Sequence, residues 1–382
     1  MHADEILKGQ KMKKLYYICQ WGNDRKKAWS GTYASLFERL QDKFELMDTP
    51  IKQSFTTKLR NTMVRREWFI KYDFSYSVLR KQGKKAINSI NDRNFCTLQF
   101  EELPMRKDSH HYIYLDMCAQ YIEEVLLTDP VTKQHYFRKN ADFNALHKRC
   151  QTQNHFLREC SGIFTMGEWL ARYLVERLEV DPTRVHCIRA GVDIDVNKIH
   201  PDRKGNKFLF VGKDFNAKGG YLVVEAFQIL REKYMNDAEL YIIGPSANPI
   251  RENTPGVYYK GFLPSDQIIQ YYNTCDVFCM PSYVDAFGKV FIEALCCGLP
   301  CIGRSVLSMN EIIQQGVNGY LIDKDDPEVL AKQMYDLLQN KAIRDYVETH
   351  QPEWQKQYSW ENVASQIAEI IGQDEYYKTT TP

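Results

Sequence analysis

The sequence predicts an α/β protein built on two parallel sheets, and three observations carry that prediction. Short apolar runs of strand length alternate with helical stretches along nearly the whole chain, the pattern of parallel strands joined by crossover helices. A chain of 382 residues is long for one hydrophobic core and suggests about two domains. The stretch 194–206 is polar and punctuated by Pro201 and Gly205, so it reads as a linker between them.

Composition narrows the function classes. Apolar residues make up 44% of the chain, enough for sizeable cores. A formal net charge of +1 argues against a nucleic-acid binder acting through global charge. The eleven cysteines show no paired metal-ligand spacing with histidines. They read as small hydrophobes in a reducing compartment, not as disulfides or a zinc site, and no metal is expected. The first residues, Met1 to Lys14, are charged and lack an apolar signal core, and no apolar run approaches the roughly 20 residues of a membrane span. The expectation is a cytoplasmic protein, at most peripheral at the inner face of a membrane.

In the first half, Lys14 to Gln20 is the opening strand, and a helix runs through Leu40. Between them lie Trp21, Gly22, Trp29, Ser30, Gly31 and Thr32. One reading is an ordinary glycine turn in which Ser30 or Thr32 caps the helix. The other is a substrate-facing loop whose two tryptophans stack on sugar rings. Asn94 to Phe100 and His111 to Asp116 are further strands. Asp116 stands at a carboxyl end, where ligands gather in open parallel sheets, or else caps a helix beginning near Met117. His135, His147 and His155 fall on a long helical region without spaced ligand partners. Ser161 to Met166 and Val185 to Ile188 complete the strands of this half.

Residues 52–93 hold eleven basic residues against three acidic ones, with Trp68, Phe69, Tyr72, Phe74 and Tyr76 interleaved. Such a run is either a solvated helical face or a surface for an anionic membrane, worth about 1 kcal/mol per cation near the lipid.

The second half is more informative. Lys207 to Gly212 is a strand, followed by the loop Lys213-Asp-Phe-Asn-Ala-Lys218-Gly219-Gly220 and a helix to about Tyr234. The loop matches neither a Walker A nor a GxGxxG pattern. Two lysines five apart, ahead of a helix N-terminus, still form a plausible diphosphate clamp. Glu239 to Gly244 and Val257 to Gly261 are strands, and Ser265 to Thr274 is a helix. Asp276 to Met280 reads as a buried strand that feeds a loop with Asp285 and Gly288, then a helix from Phe287 to Cys297 carrying Glu293. A strand's carboxyl end leading into a helix N-terminus suits an anionic ligand, because free N–H groups and the helix dipole point at it. The two carboxylates suit sugar hydroxyls instead, or are incidental to an ordinary strand–turn–helix. Pro300 to Arg304 and Gly319 to Asp323 are the last strands, and an amphipathic helix closes the sequence from about Tyr358.

From Phe208 to Asp323 the chain resembles the retaining nucleotide-sugar glycosyltransferases of the GT-B fold, family 4. The resemblance rests on VGKDFNAKGG, the IIGP turn, Gly261, and DVFCMPS followed by DAFGKVFIEALCCGLPCI. Family members carry two glutamates separated by seven residues with Phe-Gly after the first. Here the first is Asp285 and the second Glu293, and Lys213 stands where an arginine is usual, losing the bidentate fork.

The resemblance implies two Rossmann-like domains facing across a cleft. These are an acceptor-binding domain at 1–193 and a donor-binding domain at 207–358, with the helix 359–372 packing back on the first. It implies a UDP- or GDP-linked sugar as donor substrate, no cofactor, and a glycan or lipid-linked acceptor. Lys213, Lys218, Asp285, Glu293 and Asp116 are the implied catalytic set. Gly244, Pro245, Gly261, Phe262, Phe287, Gly288, Lys289 and Val290 complete the nucleotide-sugar site. Trp21 to Thr32 line the acceptor path. A sugar-nucleotide epimerase on the same scaffold, or a non-catalytic binder of sugar nucleotides or glycans, are the competing readings.

Overall fold

The computed structural model describes residues 13–21, 24–52, 70–136, 143–250 and 254–374. Gly22 and residues 53–69 of the basic segment lie outside the described residues. Two six-stranded sheets organise the chain, and every strand pairing in both is parallel. This is the α/β architecture that the alternation of strands and helices predicts.

The first sheet contains β1 (Lys14–Ile18), β2 (Glu45–Asp48), β3 (Phe95–Gln99), β4 (Ser109–Leu115), β5 (Gly162–Thr165) and β6 (Val185–Cys187), in the order β2-β1-β3-β4-β5-β6. Its helices are α1 (Thr32–Leu40), α2 (Ile70–Asn88), α3 (Ala119–Thr128), α4 (Pro130–Tyr136), α5 (Phe143–Glu159) and α6 (Glu168–Leu178). All five residues of β3 are buried, as expected of a strand covered on both faces. Strand β2 was not anticipated. Its four residues, Glu-Leu-Met-Asp, sit at the sheet edge and are half-exposed, so no apolar run marks them.

The second sheet contains β7 (Lys207–Val211), β8 (Glu239–Ile243), β9 (Val257–Gly261), β10 (Val277–Cys279), β11 (Cys301–Arg304) and β12 (Gly319–Ile322), in the order β12-β11-β10-β7-β8-β9. Around it lie α7 (Gly220–Lys233), α8 (Ser265–Thr274), α9 (Lys289–Cys296), α10 (Met309–Ile312), α11 (Pro327–Gln339) and α12 (Lys341–Gln357). The final helix, α13 (Trp360–Gly372), lies on the first unit instead. Trp360 packs over Gly191, where a Cβ would come within 2.3 Å of the indole. Lys43 of the α1–β2 turn bonds Glu361 at 2.6 Å. Val363, Ala364, Ile367 and Ile371 bury the apolar stripe of α13. Full burial of a large aliphatic side chain contributes about 1.5–3 kcal/mol, so this stripe ties the chain's end to its beginning.

In each sheet the strand order reverses once, and that reversal opens a crevice at the carboxyl ends. In the first sheet it falls between β1 and β3, and in the second between β7 and β10. The two crevices face one another. Lys289 at the start of α9 reaches the Ser30 carbonyl at 3.4 Å, and Trp169 on α6 donates its indole N–H to the Ala286 carbonyl at 2.9 Å.

Two capping expectations are corrected. Neither Ser30 nor Thr32 caps α1: the N-cap is Gly31 at φ 88°, with no side-chain cap bond. Asp116 is not a cap either, since α3 begins at Ala119 with Cys118 at its N-cap. The segment Trp29-Ser30-Gly31 holds three successive left-handed residues, at φ 44°, 54° and 88°. Two of the three are not glycine, and backbone of that kind persists only where the surroundings over-determine it.

Candidate functional site

The second crevice is built from the loop after β7 and the loop after β10. Gly219, at φ +74°, ends the first loop; a Cβ there would lie 2.4 Å from the Pro281 carbonyl, so only glycine lets the two loops close on each other. Ser282 is fully buried, and its hydroxyl bonds the Val284 carbonyl at 2.8 Å. These contacts hold Asp285 in place. Its carboxylate takes the Lys218 ammonium at 2.7 Å through one oxygen and the Gly288 N–H at 3.0 Å through the other. Lys218 also donates to the Val284 carbonyl at 3.2 Å. Gly288, at φ +73°, is the N-cap of α9. The helix therefore begins two residues later than Phe287, which is itself buried in the core.

Glu293 is the fifth residue of α9 and accepts a bond from the Tyr272 hydroxyl at 3.0 Å. Burial pushes its carboxyl above the ordinary range; Lys289 pulls the other way, and Asp193 adds to the rise. Lys213 is exposed, with its ammonium 5.8 Å from the ring centre of Phe262. Phe262 is 57% exposed at the end of β9, an unusual position for a large apolar ring. Gly244, at φ +118°, lies against Gly212, where a Cβ would approach the carbonyl to 2.6 Å. The Pro245 carbonyl accepts the Tyr259 hydroxyl at 2.8 Å. Gly261, at φ +69°, passes its carbonyl to the Gly244 N–H at 2.8 Å.

Across the cleft stands Asp116, at the carboxyl end of β4. Its carboxyl is pushed up to about 6, chiefly by burial and further by the charge of Asp285; a bond from the Trp29 side chain opposes the rise. Trp29 packs on Tyr33 (5.4 Å between ring centres) and on Phe100 (5.8 Å). Trp21 behaves differently. Its indole N–H donates to Asp48 at 2.8 Å, Tyr17 stacks on it at 6.0 Å and Arg25 lies 4.5 Å over it. It braces β2. Thr32 is buried and Ser30 is exposed.

The structure joins Lys218, Asp285 and Gly288 by hydrogen bonds, with Lys213 on the loop that carries Lys218 and Glu293 on the helix that Gly288 caps. The Lys289 side chain leaves the loop for Ser30, for Asp193 at 3.5 Å and for the Trp360 ring at 5.1 Å, and Val290 is half-buried beside it.

Sequence reasoning missed the residues that bring the halves together. Glu311 of α10 accepts the N–H groups of Glu168 at 2.9 Å and Trp169 at 2.5 Å, at the N-terminus of α6, and pairs with Arg189 at 2.5 Å. A carboxylate on a helix N-terminus is favoured by the free N–H groups there. His135 stacks on Tyr283 at 3.8 Å, and Arg304 lies 4.4 Å over the same tyrosine ring. None of these pairs has a local signature, because each joins residues more than twenty positions apart.

Comparison with known proteins supports the fold. Residues 192–354 match the family described as Glycosyl transferases group 1. The D-inositol 3-phosphate glycosyltransferase of Salinispora tropica is 24% identical over 232 residues, covering 52% of this chain and 48% of that protein. The chain spans about half the length of such curated relatives. Among solved structures, the sucrose-phosphate synthase of Thermosynechococcus elongatus superposes with a TM-score of 0.70 at 15% identity, covering 94% of this chain and 98% of that one. Anabaena HepE, solved with UDP and glucose, gives a TM-score of 0.63 at 13% identity, covering 95% and 100%. The chain has the GT-B fold, and its residues 192–354 match the family model of the glycosyl transferases group 1.

Proposed function

We propose that the chain is a retaining glycosyltransferase. In this reading it moves a hexose-type sugar from a UDP- or GDP-linked donor to a glycan or lipid-linked acceptor. The observation that supports it most is the Lys218–Asp285–Gly288 contact at the reversal point of the second sheet, with Lys213 on the same loop as Lys218 and Glu293 on the helix that follows. The two lysines neutralise the diphosphate, with no metal ion needed for that task. Phe262 offers an exposed ring face beside Lys213 for the base, and Glu293 serves the ribose hydroxyls. Asp285 serves the donor sugar.

The reaction breaks the bond from the sugar's anomeric carbon to the phosphate oxygen and forms one to an acceptor hydroxyl oxygen on the same face. The departing phosphate takes the hydroxyl proton. Negative charge grows on the diphosphate as the bond breaks, so cations placed there favour the transition state over the ground state. Loss of one comparable stabiliser costs about 2.7–4 kcal/mol, or 100- to 1000-fold in rate.

The biological setting follows as part of the same reading: surface polysaccharide assembly in the bacterial cytoplasm, with residues 52–93 resting on an anionic membrane. Among the described residues no helix is long and apolar enough to cross one. Salt-sensitive flotation with anionic liposomes tests the membrane contact, and its absence removes it. For the enzyme itself, a thermal-shift panel of nucleotides and nucleotide-sugars is the first experiment. A ligand at 100 times its dissociation constant adds about 2.7 kcal/mol of stability. No shift with any uridine or guanosine diphosphate would overturn the donor site.

A further inference from the structure

The turn that carries Asp285 is held within its own unit by Lys218 and by the Gly288 N–H, and it is also held from the first unit. The residue after Asp285 is Ala286, whose carbonyl accepts two bonds. One comes from the buried Ser308 hydroxyl at 2.8 Å, the other from the indole N–H of Trp169 on α6 at 2.9 Å. Tyr121 seats the indole, with 4.9 Å between ring centres. Gly167 lets it approach, since a Cβ there would lie 2.6 Å from the indole and 2.5 Å from the Ser308 hydroxyl. Packing on its own unit therefore aims Trp169 at that carbonyl.

Two residues before Asp285 stands Tyr283, which His135 covers with its ring planes only 9° apart. The Tyr283 hydroxyl is fixed to Asp325 at 2.8 Å, and Arg304, lying over the same ring, pairs with that carboxylate. His135 meets the other loop as well. Its Nδ1 lies 3.2 Å from the Asn216 side-chain oxygen, and its carbonyl accepts the Asn216 side-chain N–H at 3.2 Å. The next residue, Ala217, accepts the Tyr283 N–H at its carbonyl at 3.0 Å. One histidine of the first unit thus touches both loops of the second crevice.

A hydrogen bond of this kind contributes only about 0.5–1.5 kcal/mol to stability. A shift of about 1 Å at a reacting group can cost about 100-fold in rate. The leverage of these contacts is therefore on where the turn sits. Resting on the glycosyltransferase reading, we propose that Trp169 and His135 are positioning residues for the donor sugar: from the first unit they fix the turn on either side of Asp285, and through it the carboxylate that meets the sugar. Their bonds end on Ala286 and Asn216, so the lysines that serve the diphosphate are left as they are.

The test uses the full chain and two readouts. Hydrogen exchange followed by mass spectrometry reads the turn itself. Trp169→Phe, which keeps a ring and removes the N–H, and His135→Ala are each expected to speed exchange in residues 283–289 about tenfold, with the melting temperature unchanged. Nucleotide release from UDP-glucose, UDP-galactose, UDP-N-acetylglucosamine and GDP-mannose reads the sugar. In each variant kcat is expected to fall about tenfold, with KM and the affinity for UDP and GDP within about twofold of wild type. His135→Phe keeps the stack on Tyr283 and is expected to restore wild-type values. Because it acts through Asp285, Trp169→Phe is expected to add nothing in an Asp285→Asn background, where a purely structural role would lower the rate by the same factor again. Unaltered exchange in both single variants, nucleotide affinity falling together with kcat, or full additivity with Asp285→Asn would overturn the proposal. Faster exchange in the variants, with no nucleotide released by wild type from any of the four donors, would instead strike the glycosyltransferase reading and the sugar role with it.

Discussion

Lys218 and Asp285 form an ion pair at 2.7 Å, with 22% and 18% of their side chains exposed. It links the two loops of the second crevice. It also means that the lysine assigned to the diphosphate is held by the acid assigned to the sugar. A diphosphate arriving here competes with Asp285 for one ammonium. We expect Asp285→Asn to separate the two roles. Affinity for UDP or GDP rises, because Lys218 is released to the phosphates, while sugar transfer falls at least about tenfold. Isothermal titration and a donor-plus-acceptor assay read the two effects. Loss of both together would place Asp285 in the phosphate site itself.

Lys218→Ala and Glu293→Ala are each expected to cut transfer by about tenfold or more, with the fold intact by circular dichroism. Added EDTA is expected to leave the rate unchanged, since in the proposed reading the lysines neutralise the diphosphate charge that a metal ion would otherwise balance. A rate abolished by EDTA and restored by a divalent cation would contradict that assignment.

Gly219→Ala tests the closure of the loops. The new Cβ would sit 2.4 Å from a backbone carbonyl at a residue of positive φ, so something must shift. The expected cost is on the order of 1–3 kcal/mol. For a chain of this size that is a fall of several degrees in melting temperature, as about 1 kcal/mol moves domains of 150–250 residues by about 2–4 °C. An unchanged melting temperature would show the loops to be slack.

Two acids that follow strands β3 and β4, Glu101 and Asp116, make stability depend on pH. Glu101 and Asp116 are both held above the usual carboxylate range, Asp116 at about 6. The folded chain therefore binds more protons than the unfolded one above about pH 4, and stability falls as pH rises through the raised values. Glu102 and Arg149 face the same group. Glu101→Gln removes a charge and leaves the shape, so it is expected to melt above wild type at pH 8 and level with it at pH 5. Melting curves across that range check the sign. A variant less stable at pH 8 would mean that Glu101 is ionised and well paired.

The fold was readable because parallel strands buried on both faces are near-continuous apolar runs, as residues 208–211 (Phe-Leu-Phe-Val) are. The Lys218–Asp285 contact was readable for a related reason. The two residues fall in short segments that follow adjacent strands, so local spacing already suggests their meeting. Strand β2 escaped because an edge strand of four mixed residues has no such run. The surroundings of Trp21 and Trp29 diverged through tertiary contacts: Asp48 and Arg25 claim the first, and the second, at a left-handed turn, packs on Tyr33 and Phe100. Glu311 and Trp169 were invisible because a helix N-terminus and a carboxylate 142 positions away pair only once the domains close.

The most direct measurement is calorimetric titration of UDP and GDP into wild type and into a Lys213→Ala/Lys218→Ala double variant. The account predicts single-site binding of one nucleotide to wild type and a loss of at least about tenfold, roughly 1.4 kcal/mol, in the variant. Equal affinity in the two proteins would contradict it.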